Sequence, residues 1–189
     1  MKSVLISIQP KWCELIASGI KTVEVRKTRP KIDTPFKVYI YCTQDKNFNF
    51  CTDDGEQYTH IGNGKVIGEF VCDKVYDFVQ FGAGIVVVDP LADCELIEKQ
   101  DVFNMTCLTE EQICDYIGTK DGYGWHISDL VIYDKPKELS KFSNGSSKFE
   151  FSDTKDGFPL KLSGMTRPPQ SWCYVEELKG GADDGNKTD

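Results

Sequence analysis

The sequence predicts an α+β fold, a small mixed β-barrel with helices covering its ends. Three observations carry that prediction. Short segments with apolar residues at every second position recur along most of the chain. Only two segments combine a helical apolar spacing with start and stop signals. Strands and helices do not alternate regularly, as a doubly wound parallel sheet would require. The length of 189 residues suits one domain with its own core. That domain is expected over 1–178, with a mobile excursion at 140–157 and a disordered tail at 179–189.

The elements follow in order. "SVLISI" (Ser3 to Ile8) is a first strand. "QPKWCELIASG" then makes a helix: Pro10 suits the first helical position, and Trp12, Leu15 and Ile16 share a face at i, i+3, i+4. Gly19 is a natural stop. "KTVEVRK" alternates at period two, as a strand does, and "FKVYIYCT" continues the β pattern. Residues 44–64 are polar and predict a long loop. "GKVIGEFVCDKVYDF" is strand-like, and "GIVVV" and "CELIE" are shorter strands. A second helix lies at "LTEEQICDYIG", where Thr109 and Gln112 have capping-box spacing and Gly118 ends the run. "GWHISDLVIYD" reads as one further strand, closed by Lys135-Pro136, and "SWCYVEE" as the last.

Composition narrows the function. No run of about 18 apolar residues occurs, so no membrane-spanning helix is expected. The amino-terminal apolar run is too short for a signal-peptide core, so a cytoplasmic location is expected. Eight cysteines without a CxxC pair, and two isolated histidines, predict free buried thiols, with no metal and no other cofactor. The net charge of −8 argues against a general nucleic-acid binder, yet it is uneven. Residues 1–41 hold eight Lys and Arg against three acids, net +5, leaving −13 for the remainder. Such asymmetry predicts a local basic surface on a repulsive body.

The basic stretch "GIKTVEVRKTRPK" carries the candidate chemistry. In a strand, Val23 and Val25 face one side, while Thr22, Glu24 and Arg26 face the other. Glu24 and Arg26 are then close enough to pair. Arg26 can fork onto a carboxylate or phosphate, Glu24 can hold it in place, and Lys21 adds a point charge at the turn. The amino end of the first helix, near Pro10 and Lys11, offers free N–H groups to an anion. The alternative is a solvated ion pair worth about 0–1 kcal/mol.

These residues bear a family resemblance. "QPKW" followed by "GIKTVEVR" resembles the signature of the ASCH domain family, in the PUA-like superfamily: Gly19, Lys21, Glu24 and Arg26 match all four fixed positions of G-x-K-x-x-E-x-R. "GYGWHISDLVIYDKPKEL" and "RPPQSWCYVEE" are similar to segments of longer bacterial and phage-borne members. The resemblance implies a PUA-like β-barrel and a cleft floored by the motif, holding RNA or a modified nucleotide. Some very small relatives are amidohydrolases acting on acetylated cytidine nucleosides, with a lysine equivalent to Lys21. Their hydroxyl nucleophile falls at the position of Glu24, which departs from that pattern.

The expected ligand-binding residues are Lys11, Lys21, Glu24, Arg26, Trp125 and Arg167. Trp125 would serve as a stacking platform. Arg167 precedes Pro168-Pro169, a stiff segment that could aim it into the cleft. Trp12, on the apolar helix face, is expected in the core, and Trp172, Tyr41 and Tyr123 read first as packing residues. His126 reads as structural. Gly62, Gly64 and Gly68 read as turn and bulge positions and not as a phosphate loop. The reading is therefore a binding module for RNA or a modified nucleotide. One alternative is a small amide hydrolase with Lys21 and Glu24 as acid–base groups; another is a protein-interaction module.

Overall fold

The computed structural model describes residues 3–45, 63–82, 84–89, 95–96, 98–145, 149–151, 160–162 and 164–177. The chain begins with β1 (Ser3–Ile8), α1 (Pro10–Ala17), β2 (Val23–Arg26), β3 (Phe36–Cys42) and β4 (Val66–Cys72). It continues through β5 (Val75–Phe81), β6 (Gly84–Asp89), β7 (Glu95–Leu96), α2 (Lys99–Thr106) and α3 (Glu110–Ile117). The last strands are β8 (Gly122–His126), β9 (Ser128–Lys137), β10 (Phe142–Ser143), β11 (Phe149–Phe151), β12 (Leu160–Leu162) and β13 (Trp172–Glu177). The fold class is α+β, as expected.

The strands described here form two open sheets instead of a closed barrel. One is six-stranded in the order β10-β13-β1-β3-β4-β9, the other five-stranded in the order β2-β8-β5-β6-β7, and β11 pairs with β12 alone. "GWHISDLVIYD", expected as one strand, explains much of the opening. It divides at Ile127 into β8, in the second sheet, and β9, in the first. The Ile127 N–H donates to the Thr22 carbonyl, and Asp129 takes a positive φ of 45°. Trp125 and Ile127 alternate on one side of the hinge and Leu130 and Ile132 on the other, with only Ser128 and Asp129 between them, and so short a polar break reads as part of one strand.

Three apolar layers follow. Val4, Ile6, Ile8, Val38 and Ile40 of the first sheet meet Val75 and Trp125 of the second. The valine face of β2, Val23 and Val25, packs with Phe78 and Val87 against Val102, Phe103, Ile113 and Ile117 of the two later helices. Leu5, Tyr39, Tyr41 and Phe142 fill the outer face of the first sheet. Helix α1 starts at Pro10 as expected and buries Pro10, Cys13 and Ile16, which leaves Trp12 only partly covered. Gly19, at φ 73°, lets the chain reverse so that the Ile20 and Lys21 N–H groups both donate to the Leu15 carbonyl.

One further difference has a local cause. Helix α2 was not expected, because its only buried residues are Val102, Phe103 and Thr106 and no side chain caps its start. Within 140–157, the segment expected as a mobile excursion, the described residues include β10, which pairs with β13 and buries Phe142 completely, and β11. Most of the 44–64 loop and the expected tail at 179–189 lie outside the described residues. Capping of α3 by Thr109 and Gln112 is as expected. Among the described helices none is long and apolar enough to cross a membrane, and no described cluster of His, Cys, Asp and Glu could hold a metal.

Candidate functional site

Strand β2 is buried on both faces, and that sets the character of the site. Its polar row is largely covered and points at the first sheet. Glu24 lies directly opposite Trp125 in the β2–β8 ladder, so the two share a face, and Trp125 is fully buried in the layer between the sheets. Lys21, Glu24 and Arg26 are 2 %, 6 % and 8 % exposed.

The three side chains form one network. Lys21 Nζ donates to the carbonyls of Val23 at 2.9 Å and Thr106 at 2.7 Å, and lies 3.3 Å from Glu24 Oε2. Thr106 is the last residue of α2, so the ammonium sits where helix carbonyls want a cation. Arg26 Nη2 donates to the Ser7 carbonyl at 2.6 Å and lies 3.1 Å from Glu24 Oε1. Among the described residues Arg26 Nε is buried without a hydrogen-bond partner. Two cations flank one carboxylate, leaving one surplus positive charge in a buried cluster. A buried charge without compensation is costly.

The network opens onto a cavity of about 630 Å³. Its floor is Lys21, Glu24 and Arg26, with Ser7 and Ile8 from β1. Trp12 of α1 forms one wall, its ring centre 5.1 Å from Lys21 Nζ. Gln112 and Tyr116 of α3 form another, and Pro168, Pro169 and Gln170 a third. The proline wall is tied down, since Ser7 Oγ donates to the Pro169 carbonyl at 2.6 Å. The volume lies within the roughly 300–1,000 Å³ usual for small-ligand sites.

A model of the ASCH domain matches residues 6–113, which run from β1 into α3 and contain the whole network. The chain belongs to the ASCH domain family. Among solved structures it is similar to ASCH from Zymomonas mobilis, at 18% identity over 92% of this chain and 87% of that one, with a TM-score of 0.49. A mutant of the same Zymomonas mobilis protein matches at 18% identity over 93% and 91%, also with a TM-score of 0.49. The search of curated proteins found no match.

Within this ASCH domain the six expected ligand residues separate. Lys21, Glu24 and Arg26 line the cavity. Lys11 is exposed beside it, with Nζ 4.3 Å from the Trp12 ring centre. Arg167 is exposed on the approach to the proline wall and does not line the cavity. Trp125 is not on the cavity wall at all: it packs edge-on to Phe36 at 5.7 Å and beside Trp172 at 5.9 Å. The tryptophan that lines the cavity is Trp12, which had been expected in the core. The reason is the stripe that α1 buries, Pro10, Cys13 and Ile16, which turns Trp12 to the side of the helix. Sequence reasoning missed Gln112, Tyr116 and Gln170. For the two on α3 the available signal was their i, i+4 spacing on the face beside Ile113 and Ile117. His126 pairs with Asp73 at 2.7 Å, as a structural histidine does.

Proposed function

We propose that this ASCH domain is a binding module that holds RNA or a modified nucleotide in the cavity beside Lys21, Glu24 and Arg26. One observation carries the reading: the buried network of Lys21, Glu24 and Arg26 has a surplus positive charge at the cavity floor. A ligand carbonyl or phosphate oxygen is the complement of such a charge. Trp12 offers a π-face for a base, and Gln112 and Gln170 offer amide groups for a base edge. Lys11 and Arg167 would meet phosphates outside. On this reading the chain is a PUA-like domain whose barrel is opened into two sheets.

The geometry favours binding over amide hydrolysis. The three Lys21 protons face three oxygens, and each Glu24 oxygen faces a cation, so neither group is free to shuttle a proton. The test is a titration of intrinsic fluorescence at low salt with random-sequence RNA octamers and a panel of modified nucleosides. Binding should change Trp12 emission and weaken at least tenfold in Arg26→Ala. Equal binding by Arg26→Ala would overturn the reading. Turnover of acetylated cytidine above a Lys21→Ala control would favour the hydrolase.

A further inference from the structure

Immediately after the cavity floor, the chain enters a stretch with a cation at every second position: Lys27, Arg29 and Lys31. No ion pair engages any of the three among the described residues. In a chain of net charge −8, three such cations in five residues are a concentrated positive surface. They line a second cavity of about 480 Å³, shared with Tyr123 and one acid, Asp33.

Two contacts hold this stretch in place. Trp172 Nε1 donates to Thr28 Oγ1 at 3.0 Å, and the Lys31 N–H donates to the Tyr174 hydroxyl at 2.7 Å. Both partners stand on β13, so the cations are presented by an anchored loop. A third contact joins the two cavities. Lys27 Nζ lies 5.2 Å from the ring centre of Tyr116, which is 38 % exposed and lines the first cavity. The path from Arg26 to Lys31 thus interleaves cations with the aromatic faces of Tyr116 and Tyr123, the combination that suits single-stranded nucleic acid.

We propose that the Lys27–Lys31 loop is a phosphate track continuing the cleft, so that the ligand is a single-stranded oligonucleotide. One nucleotide occupies the cavity at Arg26 and the following phosphates lie along Lys27, Arg29 and Lys31. This rests on the nucleotide reading of the cavity and adds what that reading lacks, a reason to prefer a polymer over a free nucleotide.

The probe is a fluorescein-labelled random-sequence RNA octamer, followed by anisotropy over a salt series, with the four nucleoside monophosphates as short ligands. The octamer should bind at least tenfold more tightly than any monophosphate. Lys27→Ala/Arg29→Ala/Lys31→Ala should erase that advantage and flatten the log K against log salt slope by about 2, at roughly 0.7 per phosphate, while leaving monophosphate binding unchanged. Arg26→Ala should weaken both ligands. Octamer binding by the triple variant equal to wild type overturns the track and leaves the cavity reading standing. Loss of octamer binding in the triple variant with no effect of Arg26→Ala leaves the track and removes the cavity. Binding of neither ligand by the wild type removes both. Equal competition by a poly-glutamate peptide of matched charge also overturns the proposal. Lys27→Glu alters one exposed side chain; an octamer affinity unchanged by it overturns the track even if the triple variant unfolds.

Discussion

Arg26 Nη2 donates to the Ser7 carbonyl at 2.6 Å, and that bond joins the edge strand of one sheet to the end of a central strand of the other. The same guanidinium faces Glu24 and lines the cavity, so the residue expected to meet a ligand also closes the fold.

Removing one partner of the buried network should therefore be felt in stability. Lys21→Ala strips the Val23 and Thr106 carbonyls of their buried donor while Arg26 still pairs with Glu24, a loss of about 1–3 kcal/mol for each buried group left unsatisfied. Lys37→Ala removes a half-exposed pair with Glu69 and should cost about 0–1 kcal/mol. Urea midpoints of the two variants give the comparison; equal midpoints would contradict the burial of Lys21.

The exchange of roles between two tryptophans can be measured directly. Trp125→Ala empties a fully buried site and should destabilise by about 3–5 kcal/mol. Trp12→Ala should leave the fold largely intact and weaken RNA octamer binding by about 1–3 kcal/mol, the range for one stacked base. Thermal melts and anisotropy separate the two effects, and unimpaired binding by Trp12→Ala would place the base elsewhere.

Acid should unpick the outer face of the first sheet. Burial pushes the Glu69 carboxyl up, but hydrogen bonds from Lys37 and Tyr133 outweigh it and hold the group below its ordinary value. Its contribution to stability is thus present above the unfolded carboxylate value of about 4 and lost as pH falls through the lowered native value. Glu69→Gln should flatten the fall in urea midpoint over that acidic window. An unchanged slope would show that Glu69 is not the group responsible.

Thiol chemistry should follow burial. Cys13, Cys42 and Cys72 are buried and free, and burial pushes the Cys72 thiol up to about 12. Cys107 and Cys114 are partly exposed. Native labelling with a maleimide at neutral pH, mapped by mass spectrometry, should reach Cys107 and Cys114 well before those three. Prompt modification of Cys72 would mean that the edge of the core opens readily.

The division between sequence and structure follows from range. Local rules sufficed for β1, for α1 from Pro10 to its Gly19 stop, for the capped start of α3, and for placing Glu24 and Arg26 on one face of a strand with Lys21 in the turn before it. Those features depend on neighbours within a turn or a pleat, where spacing dictates geometry. Periodicity could say that Glu24 and Arg26 share a face, but not that a second sheet would cover it. The division of one apolar run into β8 and β9, the burial of Trp125, the turn of Trp12 toward the cavity and the walls at Tyr116 and Pro169 all rest on contacts between distant segments. An exposed ion pair and a buried cationic network have the same local spelling; only the packing of one sheet against the other makes the difference.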